Sequence, residues 1–228
     1  MRRSPTTRGD RALTLTEVLC VVVAVLFLAA LALTFLAKKK GSRLGSRCGN
    51  NLKMINLAFK VWANDNDDKF PYFTTNCLAF TNETQAWLHF QTMSNELGSA
   101  LILACPQDAQ RRTNAVSEFD SGPNGLRSKG NRAVSYFIGL DADETRPHSL
   151  NAGDRNVFMF TNFSPTTGAV LVLSSNVPPG WTGEVHTNAG YLVDASGDVF
   201  FRSNPGLRAA LPFPVEVATN RLLLPLIP

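Results

Sequence analysis

Glu17 is the residue that most needs an explanation, because it stands inside an apolar run. From Leu13 to Ala37 the chain reads LTLTEVLCVVVAVLFLAALALTFLA, 25 residues broken only by Thr14, Thr16, Glu17 and Thr34. In a membrane such a carboxylate costs on the order of a few kcal/mol unless something pairs with it. The chemistry on offer is therefore charge pairing. A second acidic set, Asp141, Asp143 and Glu144 in the stretch DADE, follows a strand-like run with alternate carboxylates; it reads as a solvated acidic turn, with an oxygen-rich Ca²⁺ loop as the alternative. Asp65-Asn66-Asp67-Asp68 departs from the EF-hand pattern, with Lys69 where a ligand is needed, and reads as a helix-ending turn. No other residues are read as metal ligands. Of the four cysteines, Cys20 lies in the apolar run and reads as a small apolar residue. Cys48, Cys77 and Cys105 allow one disulfide and leave one thiol over, and no C-x-x-C occurs. The three histidines read structurally: His89 on a helix face, His148 in a polar loop, His186 fixing a turn by hydrogen bonding. There is no G-x-S-x-G elbow, H-E-x-x-H or P-loop, so no residue is assigned a catalytic role.

The element that must position Glu17 is a long helix. At ~1.5 Å per residue the run from Leu13 to Ala37 extends roughly 37 Å, enough to cross a bilayer core with some tilt. Arg2, Arg3, Arg8 and Arg11 precede it in a leader ending at Ala12, and Lys38, Lys39, Lys40, Arg43 and Arg47 follow it, so charge counting leaves its orientation open. The run is too long for the apolar core of an ordinary secretory signal. The overall net charge of +4 invites a nucleic-acid reading, but beyond Arg47 there are 13 basic against 16 acidic residues, and no basic face remains for a phosphate backbone. Nucleic acid is not an expected partner.

Beyond the apolar run, Leu52, Ile55, Phe59 and Trp62 recur at helical spacing, with Lys53 and Lys60 available for the other side. Between the two halves, Gly41, Gly45 and Gly49 repeat every four residues. They either permit close helix–helix approach or mark a stretch that melts and extends, and an ordinary flexible linker is the plainer alternative. Asn, Asp and Pro end the helix over residues 64–71. Residues 83–101 predict a second helix with Trp87, Phe90, Met93 or Ser94, and Leu97 inward, and residues 107–131 predict a long polar loop. Strand-like runs follow at Ala133–Leu140, Asn156–Phe163 and Ala169–Ser174. Gly190–Arg202 predicts a hairpin around Asp194-Ala-Ser-Gly-Asp198, with Tyr191 and Val193 on one face and Leu192 on the other. The apolar tail Leu222–Pro228 is too short to span a membrane and is read as packing on the domain.

The basic leader, the small residue Ala12, the segment Leu13-Thr14-Leu15-Thr16-Glu17 and the long apolar run together resemble the class III signal of type IV prepilins and type II secretion pseudopilins. The resemblance implies removal of the leader by prepilin peptidase between Ala12 and Leu13, with N-methylation of Leu13. It also implies pairing of Glu17 with the amine of an adjacent subunit. Residues 50–71, NNLKMINLAFKVWANDNDDKFP, resemble the post-anchor segment of a large pilin-like group of bacterial envelope proteins. Members of that group carry a Cys before the helix and a Cys-Pro further on, positions held here by Cys48 and Cys105-Pro106. The implied disulfide is Cys48–Cys105 with Cys77 free, although Cys77–Cys105 stays open as an alternative. His186, Asn188-Ala189-Gly190, Asp194 and Gly197-Asp198-Val199 resemble the group's closing "HxGG…ADGHV" hairpin, with Asp198 in place of its second His.

The expected fold class is α+β: a long N-terminal transmembrane helix continuing into a small, antiparallel β-sheet domain. The expected organisation is a cytoplasmic leader at 1–12, a transmembrane helix at 13–37, a helix continuation with a glycine hinge at 38–65, and an external globular domain at 66–228. The implied role is non-enzymatic. It is that of a structural subunit of a pilus or pseudopilus in the bacterial inner membrane, with prepilin peptidase, other pilin-like subunits and an assembly platform as partners and no cofactor beyond possible Ca²⁺. The alternative is a singly displayed, membrane-anchored binding module that uses the same signal. N-terminal analysis of the protein extracted from a bacterial envelope should find a chain beginning at Leu13. Ala12→Asp, which puts a charge in a small-residue pocket, should leave the full-length precursor in the membrane. A mature chain starting elsewhere would refute the cleavage position.

Overall fold

Helix α1 (Leu15–Asn64) runs without a break through Gly41, Gly45 and Gly49. The computed structural model describes residues 14–73, 85–159, 170–173, 177–210 and 220–227. Ala12, Leu13 and Cys77 lie outside them. Two units divide between Arg43 and Leu44. In the first, none of the residues of Leu15–Ala32 is buried, and the stretch is long and apolar enough to cross a membrane.

In the second unit α1 supplies one wall of the core. Cys48, Leu52, Ile55, Ala58, Phe59 and Ala63 are buried at helical spacing, and each large side chain among them contributes roughly 1.5–3 kcal/mol. Trp62 packs at the edge of this core. The glycine repeat has a definite use here. A Cβ on Gly45 would lie 3.1 Å from the Tyr191 hydroxyl, and one on Gly49 would lie 3.2 Å from the Tyr191 ring. The close approach is thus a strand side chain against the helix. The helix stops where Asp67 and Asp68 both adopt φ of 56°, and the Asp68 N–H bonds the Ala63 carbonyl at 2.9 Å.

Between the helix and the sheet lies a run of short elements: α2 (Ala86–Thr92), α3 (Ser94–Leu97), a 3₁₀ turn (Ala100–Leu103), α4 (Ala109–Arg112), α5 (Leu126–Lys129) and a second 3₁₀ turn (Gly130–Ala133). The single helix expected over 83–101 is broken, with Gly98 in left-handed conformation at φ 66° closing α3. Phe90, Met93 and Leu97 are buried and Trp87 is partly so. The expected polar loop over 107–131 contains α4 and α5 instead.

The main sheet has the order β4-β8-β1-β2-β6-β7, all neighbours antiparallel. Its strands are β1 (Tyr136–Gly139), β2 (Leu150–Asp154), β4 (Val170–Leu173), β6 (Ala189–Asp194), β7 (Val199–Ser203) and β8 (Asn220–Leu223). Alternation along the strands divides two cores. Tyr136, Ile138, Val193 and Leu223 face the core shared with α1, while Phe137, Leu192 and Leu222 face a second. That second core is closed by the small sheet β3 (Val157–Met159) with β5 (Pro179–Trp181), and by α6 (Asn204–Ala209) through Leu207. A layer on both sides explains why β1 and β2 are buried at every position.

The hairpin forms with Tyr191 and Val193 together and Leu192 opposite, and Gly197 takes φ of 106° in its turn. The tail packs as expected, but Asn220–Leu223 does so as a strand between β1 and β4.

His89 on α2 packs edge-on to Tyr72 at 6.2 Å, and its burial holds the imidazole pKa down from 6.5 to about 4. Between those values the unfolded chain binds a proton that the folded chain refuses, so stability falls as pH drops from 6.5 towards 4, by up to about 3 kcal/mol. His89→Leu should flatten this part of the stability–pH curve of a fragment beginning at Leu44, read by denaturant melts. An unchanged slope would refute the assignment.

Candidate functional site

Four segments far apart in sequence meet at one dry point of the second unit. Cys48 on α1 is disulfide-bonded to Cys105, which follows the first 3₁₀ turn. His186, in the turn before β6, places Nε2 3.7 Å from the Cys105 sulfur and 3.3 Å from Asp154 Oδ2 at the end of β2. The Tyr191 N–H donates to the same Asp154 oxygen at 2.6 Å. Cys48, Cys105 and Asp154 are wholly buried and His186 is nearly so. The rings of Tyr191 and Phe201 cover the imidazole, at centroid distances of 5.2 and 5.9 Å. Burial pushes the Asp154 carboxyl above its ordinary pKa, against the contrary pull of His186.

The next residues on each chain segment carry a second pairing. Asp108, three residues after Cys105, caps α4 by accepting from the Arg111 N–H at 3.2 Å. Its two oxygens also take the Arg155 fork, at 2.7 Å from Nε and 3.1 Å from Nη2. Arg155 further donates to Glu184 at 2.7 Å and to Gln110 at 3.0 Å. Burial alone would lower the Arg155 pKa, but Asp108 and Glu184 outweigh it and the net direction is up. Neighbouring Arg111 is pulled down to about 10, first by burial and then by Arg155, and it donates to the Pro225 carbonyl at 2.8 Å.

Glu17 has a partner within its own chain. Its Oε2 accepts from the Thr14 backbone N–H at 2.9 Å and from the Thr14 hydroxyl at 3.0 Å, while the Glu17 N–H donates to Thr14 Oγ1 at 3.3 Å. Thr14-Leu-Thr-Glu17 is therefore a reciprocal capping box at the start of α1, a T-x-x-E signal readable in the sequence beside the charge argument.

Two of the three acids of the DADE stretch, Asp141 and Asp143, are occupied by separate partners. Asp141 accepts from the Arg221 backbone N–H at 2.8 Å and from its guanidinium at 2.7 and 2.9 Å. Asp143 accepts from the Thr145 N–H and hydroxyl and lies 3.6 Å from Arg146. Asp141, Asp143 and Glu144 do not bring three ligand atoms together; among the described residues, the group that does is Cys48, Cys105 and His186. His148 is exposed, 3.7 Å from the buried Asp194.

The buried polar residues Asp108, Asp154, Asn56 and Asn151, and the half-buried Arg155, are not singled out by the sequence. Only Asp108 had a signal, standing one turn beyond Cys105-Pro106 ahead of a helix. A search of family models, curated proteins and solved structures finds no match to this chain.

The geometry is that of a closed junction. The disulfide joins residues 57 apart, a loop whose closure is worth about 4 kcal/mol in the chain-entropy account. The Asp108–Arg155 pair ties the same loop to the end of β2. Arg155→Ala leaves a fully buried carboxylate without its fork and should destabilise the domain by roughly 3–5 kcal/mol. Replacing both partners, as in Asp108→Asn with Arg155→Met, should cost less than Arg155→Ala alone. A single variant within 1 kcal/mol of the parent in urea melts, on the order of a surface change, would contradict this role.

Proposed function

We propose that this protein is a prepilin-like structural subunit: anchored in the bacterial inner membrane by the start of α1, trimmed after Ala12 and assembled side by side with other pilin-like chains into a pilus or pseudopilus. The observation that carries the reading is that α1 keeps apolar side chains exposed where its own domain already buries the opposite face. Met54, Leu57 and Val61 are 50%, 52% and 44% exposed, while Leu52, Ile55 and Phe59 are wholly buried. Their spacing of three and four residues makes a stripe along the helix, where the sequence had pointed to Lys53 and Lys60. Lys60 turns to the Ser196 carbonyl at 2.8 Å instead. A helix apolar on both faces is suited to packing among neighbours. The leader signal and the exposed apolar stretch Leu15–Ala32 agree with anchoring.

The second reading, a membrane-displayed binding module, draws on a cavity of ≈ 200 Å³ lined by His148, Leu150, Leu192, Asp194, Phe200 and Arg202, apolar with a few polar groups.

Leu57→Glu should leave membrane insertion and leader removal intact and reduce recovery in sheared filaments at least tenfold. Glu17→Ala should do the same, by depriving a neighbour's amine of its carboxylate. Wild-type protein that stays monomeric in the membrane and never pellets with filaments would refute the subunit reading in favour of the binding module.

A further inference from the structure

The disulfide does not exhaust what the junction can hold. Tetrahedral Zn²⁺ has bonds of about 2.3 Å to sulfur and 2.0–2.2 Å to nitrogen or oxygen, so its neighbouring ligand atoms stand roughly 3.3–3.8 Å apart. Two such edges are already present: Cys105 Sγ to His186 Nε2 at 3.7 Å and His186 Nε2 to Asp154 Oδ2 at 3.3 Å. Cys48 Sγ, Cys105 Sγ and a ring nitrogen of His186 all lie within 4.8 Å of one another; Asp154 stands outside that group beside His186, so its carboxylate has to move toward the sulfurs to complete a four-ligand set. The S–S bond is what holds the remaining sulfur–sulfur edge short, since two separate thiolates on one ion open to the same tetrahedral spacing.

A second observation points to a missing ligand. Asp154 Oδ1 is buried and makes no hydrogen bond, an unusual state for a carboxylate oxygen sealed from water. The Tyr191 N–H, at 2.6 Å from Oδ2, fixes the carboxylate in the way outer hydrogen bonds orient metal ligands. The Tyr191 and Phe201 rings supply the dry wall around His186.

We propose that the reduced chain binds one soft divalent cation of the Zn²⁺ type through Cys48, Cys105, His186 and Asp154, giving the junction two closed states, a disulfide and a metal thiolate. The conversion balances with a dithiol as reductant. Exchange breaks the Cys48–Cys105 bond and joins the reductant's two sulfurs to each other, and its two thiol protons pass to Cys48 and Cys105. Binding of the cation then releases both protons, so affinity rises with pH. Either state ties α1, the Cys105 loop, β2 and the turn before β6 together. Because the four groups are buried, the cation enters while the domain is open and leaves slowly once it has closed.

The test uses the full chain in detergent with Cys20→Ala and Cys77→Ser, so that Cys48 and Cys105 are its only cysteines. After reduction with dithiothreitol and its removal under nitrogen, Co²⁺ alone is titrated in, with circular dichroism followed on the same samples. One Co²⁺ per chain is expected, with the visible d–d bands of a tetrahedral thiolate site, displaced by Zn²⁺ and absent from the oxidised chain. His186→Gln and Asp154→Asn, each of which removes a ligand, should each weaken binding at least tenfold. A reduced chain that takes up no more Co²⁺ than the oxidised one overturns the proposal. So does Co²⁺ binding that His186→Gln leaves unchanged, which is how loose capture by an unfolded dithiol would behave.

Discussion

The second unit depends on the rule that polar groups taken out of water must find partners there. The face where α1 meets the sheet is apolar along Leu52, Ile55 and Phe59, yet it also contains Asn56, almost wholly buried. Its partner is Asn151, whose amide donates to Asn56 Oδ1 at 2.7 Å. Asn151 reaches the helix because β2 shifts register against β6 between Leu150 and Ala152. A bulge puts two successive residues on one face, so Asn151 bonds the helix while Ala152 still packs into the core. One irregular strand residue thereby fixes where along α1 the sheet sits, which apolar packing alone leaves loosely specified. The disulfide fastens the same helix, and the His186–Asp154 contact and the Asp108–Arg155 fork apply the same rule to harder groups.

Legibility in the sequence followed side-chain periodicity. The α1 stripe at Leu52, Ile55 and Phe59, the β6–β7 hairpin with Gly197 in its turn, and the strand beginnings at Tyr136 and Val157 carry clear helical or alternating patterns, and these elements are present. Strand β2 was missed because LNAGD offers two polar residues and a glycine, the composition of a loop. Its polar members are buried through Asn56 and His186, partners that no local pattern announces. Strand β5 reads Pro-Gly-Trp and belongs to a two-stranded sheet whose existence follows only from the need to cover Phe137, Leu192 and Leu222. At Glu17 both the charge and the T-x-x-E helix start are written in the local sequence, and the apolar run around them makes the charge the more conspicuous of the two.

The glycines show how one sequence feature can carry a true constraint with the wrong partner attached. Their four-residue spacing does make a shallow face, and close approach does occur there. The approaching group is the ring of Tyr191, which also covers His186 and shares its strand with Val193. Packing at the helix, shielding of the buried junction and the register of the hairpin thus converge on one side chain, so a change at Gly49 is felt at the imidazole.

The position of β8 in the sheet sets an order of events during synthesis. Asn220–Leu223 lies between β1 and β4, both made earlier, and the Arg221 fork on Asp141 secures its register. Neither β1 nor β4 can satisfy its facing edge until residue 223 has been made, while the apolar start of α1 is complete some two hundred residues sooner. The long interval leaves strand edges open in a chain that has already presented a long apolar segment. The domain must then close in one late, largely non-local step, the slow kind of folding, and until β8 is made the facing edges of β1 and β4 are open to wrong pairing.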